Sequence, residues 1–145
     1  MTLRLIALAG LCLGVLQGTA QAQFKTPEAA VENLYAIYTT TGSDGFSDRD
    51  APRYFDAALL KLWRAAKHKD SDFFIQGQDF KIKDVKVTPA KIQGDKAEAV
   101  ATFRNFDQPS RLTYSLAKAQ DGWRISDARS GKDTLRGALR TASKR

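Results

Sequence analysis

The chain has 145 residues, one cysteine, and 23 basic against 16 acidic residues, a net charge of +7. That length fits one domain with a core of its own, and a single thiol rules out a disulfide framework and thiolate metal sites, so packing has to hold the fold. The basic excess favours anionic partners, although a lysine-rich wet surface produces the same balance.

The first 22 residues read as an export signal. Arg4 supplies a positive start, Leu5 to Leu16 an apolar stretch, and Ala20-Gln21-Ala22 a small-x-small cleavage site before Gln23. The apolar run falls short of the roughly 20 residues that span a bilayer, so no stable membrane insertion is expected after cleavage. Cys12 follows Leu11 inside the apolar run, a context that does not suit lipidation. The organisation is therefore a signal peptide, 1–22, and an α+β domain, 23–145, in the periplasm or secreted. The mature part holds no cysteine and keeps 22 basic against 16 acidic residues. An exported chain with no recognition motif and no basic run longer than two is not expected to bind nucleic acid.

Thr26-Pro27-Glu28 opens a helix with a cap, a first-turn proline and an acid at the positive end of the dipole. Val31, Leu34, Tyr35 and Tyr38 form its apolar stripe, and it ends before Gly42. Ser47-Asp48-Arg49-Asp50 resembles a capping box leading into one second helix, with Phe55, Leu59, Leu62, Trp63 and Ala66 on the dry side. Asp70 to Phe80 reads as a loop. From Val85 the period changes to two, the signature of strands. Val85 and Val87 start the first strand, and Ala97 to Arg104 form the next after a turn at Gln93-Gly94-Asp95-Lys96. Asn105 to Ser110, with Pro109, reads as a connection, followed by a strand that buries Leu112, Tyr114 and Leu116. Asp121-Gly122 predicts a hairpin, and Trp123 and Ile125 continue the buried face in the final strand. Ser130 to Asp133 reads as a second capping box, before a short helix with Leu135, Ala138, Leu139 and Ala142 on one face. The expected fold is α+β: N-terminal helices packed on a curved, cone-like antiparallel sheet, with a short C-terminal helix.

Asp70-Ser71-Asp72-Phe73-Phe74, Gln78-Asp79, Gly122 to Asp127 and Leu135 to Leu139 together resemble a bacterial periplasmic family known as domain of unknown function 3828. That family in turn is similar to nuclear-transport-factor-like, or cystatin-like, folds in which a bent sheet wraps a long helix. The chain departs from the pattern at Phe73 and Ala128. The resemblance implies an envelope location and this fold, and no activity.

No catalytic or cofactor motif is present. There is no G-x-S-x-G elbow and no glycine-rich phosphate loop. Asp70, Asp72 and Asp79 are candidate metal carboxylates, but Phe73, Phe74 and Ile75 stand where a calcium loop needs another ligand and a glycine turn, so neither metal nor cofactor is expected. His68 is the sole histidine and has no evident orienting partner. Asp79 is the acid expected to be part-buried. In a cone-shaped fold a pocket would be lined by Tyr35, Tyr38, Trp63, Gln78, Asp79, Tyr114 and Trp123. Lys132, Arg136 and Arg140, spaced by four, would form a basic rim for an anionic partner.

The leading expectation is a non-enzymatic exported domain that binds a small molecule or a protein. One alternative is an immunity or inhibitor protein that neutralises a toxin or wall-degrading enzyme. Another is an isomerase or dehydratase with Asp79 as base and Tyr35 or Tyr38 as oxyanion donor.

Overall fold

The computed structural model describes residues 24–67 and 69–145. The segment expected to be an export leader, 1–22, and His68 lie outside the described residues. α1 spans Pro27–Thr39, and the Thr26 hydroxyl accepts the Ala29 amide at 3.1 Å while Pro27 takes a first-turn position where no amide is needed. Its stripe of Val31, Leu34, Tyr35 and Tyr38 is fully buried, as the spacing predicts.

The second helix is two helices. α2 covers Ala51–Tyr54 and α3 covers Ala57–Ala65. Between them Phe55 turns extended and bridges Ile125 in the sheet, and the Asp56 amide donates to the Ile125 carbonyl at 2.9 Å. Asp56 then restarts the helix, its carboxylate accepting the Leu59 amide at 2.8 Å. A tertiary contact thus overrides a helical periodicity that is continuous in sequence. The Ser47-Asp50 box closes from one side only: the Asp50 carboxylate accepts both the backbone amide and the hydroxyl of Ser47.

The sheet contains β1 (Ile82–Val87), β2 (Lys91–Gln93), β3 (Lys96–Asn105), β4 (Gln108–Ala119), β5 (Gly122–Ser130) and β6 (Asp133–Thr134), and α4 (Leu135–Ser143) closes the chain. Its antiparallel order is β1-β3-β4-β5-β6, with β2 also pairing β3. β1 and β2 are two pieces of one edge, separated at Thr88-Pro89-Ala90 because proline has no amide to donate. Thr88 spans the break by donating its amide to Val100 O at 2.9 Å and accepting the Val100 amide on its hydroxyl.

Small residues on β3 lie opposite large ones on β4: Ala97 pairs with Leu116, Ala99 with Tyr114 and Ala101 with Leu112. This alternation leaves room for Tyr35 of α1, whose ring lies 4.8 Å from Phe103 and 6.3 Å from Tyr114. Ser126 is an extra residue in β5, because Ser115 pairs with Asp127 but Leu116 with Ile125. The bulge shifts the alternation by one, so Trp123, Ile125 and then Ala128 face the core.

Three turns differ from the sequence expectation. Asn105 to Ser110 is not a loop: Phe106 and Asp107 alone make the turn, both with positive φ (47° and 65°), and Pro109 sits within β4 opposite Arg104. A two-residue turn makes Asn105 and Gln108 a hydrogen-bonded pair, so the missing Pro109 amide falls at a non-bonded position on a stretch that β5 does not reach. The β4–β5 turn is Gln120-Asp121, one residue earlier than the Asp-Gly signal suggests, and Gly122 opens β5. Ser130 to Asp133 is no capping box. It is the β5–β6 hairpin, and the α4 cap is Thr134, whose hydroxyl accepts the Gly137 amide at 3.0 Å.

Phe106 is half exposed in a left-handed conformation that asparagine or glycine adopts more easily. Phe106→Asn should therefore raise the unfolding free energy by about 1 kcal/mol in urea titration. A loss of stability would mean that the ring packs in solution.

Candidate functional site

One open groove of roughly 840 Å³ lies between residues 44–48, residues 69–80 and the apolar face of α4. Phe46, Trp63, Ile75, Leu135 and Leu139 line its apolar part, and Ala138 and Ala142 form the α4 wall. Asp44, Asp48, Asp70 and Asp72 stand around it with Lys69 and Arg145.

Each wall is fixed by specific contacts. Phe46 packs its ring 5.0 to 5.6 Å from the rings of Tyr54, Phe55, Trp63 and Phe74. Gly45 lets the preceding backbone lie close on Tyr38 and Phe80: its φ of +85° is left-handed, and a Cβ there would meet Tyr38 at 3.1 Å and Phe80 at 3.2 Å. The opposite wall is pinned by Phe74, completely buried in an otherwise irregular stretch. Its carbonyl accepts the Tyr35 hydroxyl at 3.1 Å and its amide donates to Asp72 Oδ1 at 2.9 Å. Because the Tyr35 proton is committed to Phe74, the 2.8 Å contact between the two tyrosine oxygens is donated by Tyr114.

Asp72 is the part-buried acid of this loop. It accepts Tyr38 on Oδ2, and its backbone pairs with Gly77. Burial pushes its carboxyl above the ordinary value of 3.8, against the opposing pull of the Tyr38 and Phe74 donors. Burial, with the carboxylate beside it, likewise raises Tyr38 and keeps its hydroxyl protonated. Asp79, expected to be the buried member, is exposed; only its backbone carbonyl is engaged, by Asn105 Nδ2 at 3.2 Å. The physical reason is that the chain turns back through the Asp72–Gly77 bridge, which directs Phe74 and Ile75 inward and leaves the segment after Gly77 outside.

The residues expected to line a pocket divide. Trp63 and Gln78 border the groove, and the Gln78 amide donates to Asp70 O. Tyr35, Tyr38, Tyr114 and Trp123 are buried in the core, and Trp63, although it borders the groove, belongs to the same buried cluster. The three basic residues do not form one rim. Lys132 lies on the β5–β6 turn, not on α4, and Arg140 is exposed on the helix. Arg136 is held inward, its Nε donating to Ser126 O at 2.8 Å and its guanidinium 3.7 Å from Asp56. Asp70 pairs with Arg145 at 3.4 Å rather than joining Asp72 and Asp79.

Sequence pattern does not mark Phe46, Lys69 or Arg145. Phe46 is the only large apolar residue in the polar stretch 43–50, and that isolation is the one available signal. Lys69 and Arg145 come to the groove only through the path of the chain. At the rim, the Trp63 indole donates to Asp48 at 2.7 Å, and the Lys69 ammonium lies 4.5 Å from the Trp63 ring centre and 3.4 Å from Asp48.

A carboxyl whose native pKa is raised stabilises the fold fully below its unfolded value and loses that contribution as pH rises through the native one. Asp72→Asn removes this titration. The stability of the wild type relative to the variant should therefore fall as pH rises from below 3.8 through the raised Asp72 value, read by urea unfolding at a series of pH values. A wild type that gains on the variant over that range would show that the Tyr38 and Phe74 bonds outweigh burial.

No protein-family model matches this chain, and no curated protein does. The fold is similar to a chain of the type VI native effector-immunity complex Tae3-Tai3 from Ralstonia pickettii, with a TM-score of 0.57 and 21% identity, covering 75% of this chain and 98% of that one.

Proposed function

We propose that this chain is an exported protein-binding domain that neutralises a partner protein, as an immunity protein does its effector, and that it acts by binding and not by catalysis. The observation that carries this reading is a shared fold with nearly the whole of a chain from an effector–immunity complex, combined with an open groove of mixed apolar and charged lining. Such a groove, with a tryptophan and a phenylalanine at its base and a polar border, has the anatomy of a protein contact.

The small-molecule version has less support, since four of the aromatics that would enclose a ligand, two on α1 and two on the sheet, are buried in the core. The isomerase version loses its base, because Asp79 stands exposed and outside the groove lining. An export signal fits a neutraliser that meets its target outside the cytoplasm, and the periplasm is part of the same proposal. No helix among the described residues is long and apolar enough to cross a membrane.

Tagged chain expressed with its leader in its native bacterium, then cross-linked and purified, should carry one partner in fixed stoichiometry. The recovered chain should begin at Gln23, and adding it purified should inhibit the partner's own activity. Failure to inhibit the captured protein, or a chain recovered with Met1 and no stoichiometric partner, would overturn the reading.

A further inference from the structure

At the Trp63 corner an ammonium, that of Lys69, lies over the ring and beside an acid. The ring face of Trp63 and the carboxylate of Asp48 converge on one point, because the indole N–H donates to Asp48 and so fixes the acid at the edge of the ring. An ammonium over the ring is attracted both by its electron-rich face and by the adjacent anion. The indole N–H first, and Lys69 with it, hold the Asp48 carboxyl below its ordinary value, so the anion is present across the neutral range.

Lys69 now sits at this point, but weakly tied. Its contacts with Asp48 and with the Ala66 carbonyl are both long, at 3.4 Å. It also belongs to the irregular segment after α3, so it is not held by a helix or strand ladder. The rest of the groove has the same polarity. It takes four of the chain's 16 acidic residues but only two of its 23 basic ones, and one of those two, Arg145, already faces Asp70. On a chain of net charge +7 this is a local reversal of sign.

We propose that the groove receives a basic loop of the partner protein, and that an arginine or lysine of that loop takes the Trp63–Asp48 position which Lys69 occupies in the free protein. Arginine suits it better, since a flat guanidinium stacks on the indole and still reaches the carboxylate. The inference rests on the protein-binding reading above and specifies its chemistry. It reverses the expectation of an anionic partner on a basic rim.

A short glycine–serine peptide carrying two adjacent arginines is the probe, titrated against the whole mature chain by calorimetry and tryptophan fluorescence, beside the same peptide with glutamates. The arginine peptide should bind and perturb Trp63, and the glutamate peptide should not. Lys69→Ala should bind the arginine peptide about two- to fivefold more tightly, since it removes an internal competitor of one cation–π contact's strength. Asp48→Asn keeps an acceptor for the indole and should weaken binding by a similar factor, about two- to fivefold. Unchanged or weaker binding by Lys69→Ala would overturn the proposal, as would equal binding of the glutamate peptide. Sedimentation showing that the chain self-associates through the groove, with Asp48→Asn dissociating it, would assign the groove to a second copy and also overturn it. Capture of a partner whose complex is indifferent to both substitutions would sink this inference while leaving the protein-binding reading intact.

Discussion

Phe74 is the fastening on which the groove depends. A phenylalanine in a polar loop is drawn inward because its ring finds Phe46, Trp63 and Tyr114 at stacking or edge distances, and its own backbone is held at both polar ends. Burying a large aromatic in this way contributes a few kcal/mol, and truncating one typically costs about 3–5 kcal/mol. Without that anchor, residues 69–80 would have no reason to stand away from α3 and form a wall. The Tyr114-to-Tyr35-to-Phe74 relay ties the wall to both α1 and β4, so groove shape and core packing are one constraint.

The same core explains why the cavity lies where it does. Alanines on β3 let α1 approach the sheet closely, and Tyr35 and Tyr38 are buried there against Phe103, Tyr114 and Phe80. The groove lies instead where α3 and α4, both packed on β5, meet two loops. There the backbone is irregular and the surface tolerates charge, so an acidic border can surround aromatic floor residues without any buried unpaired ion.

Much of the architecture was legible in the residues. The α1 stripe and the alternation of Leu112, Tyr114 and Leu116 follow from local periodicity and bury as expected, whereas on α4 only Leu135 and Leu139 are buried and Ala138 and Ala142 face the groove. The errors have a common source. Phe55 leaves the helix to bridge Ile125, Phe106-Asp107 makes a tight turn without asparagine or glycine, and Ser130 to Asp133 extends a hairpin instead of capping a helix. In each case strand pairing supplies hydrogen bonds that outweigh the local preference, from a partner distant in sequence for Phe55 and from the adjoining segment for the two hairpins. For the site, Trp63 and Gln78 were identifiable, whereas Asp72 and Asp79 were interchanged because nothing within the segment shows which way the loop folds back.

By itself the sequence determined the α+β class, the helix stripe and the strand alternation, because these depend on periodicity within a dozen residues. It also determined that packing without disulfides must hold the domain. Only the tertiary structure decided which aromatics would be core and which would face a groove, and where opposite charges would gather. Those outcomes depend on contacts such as Tyr35 to Phe74 and Trp63 to Asp48, 39 and 15 residues apart, whose pairing no local pattern encodes.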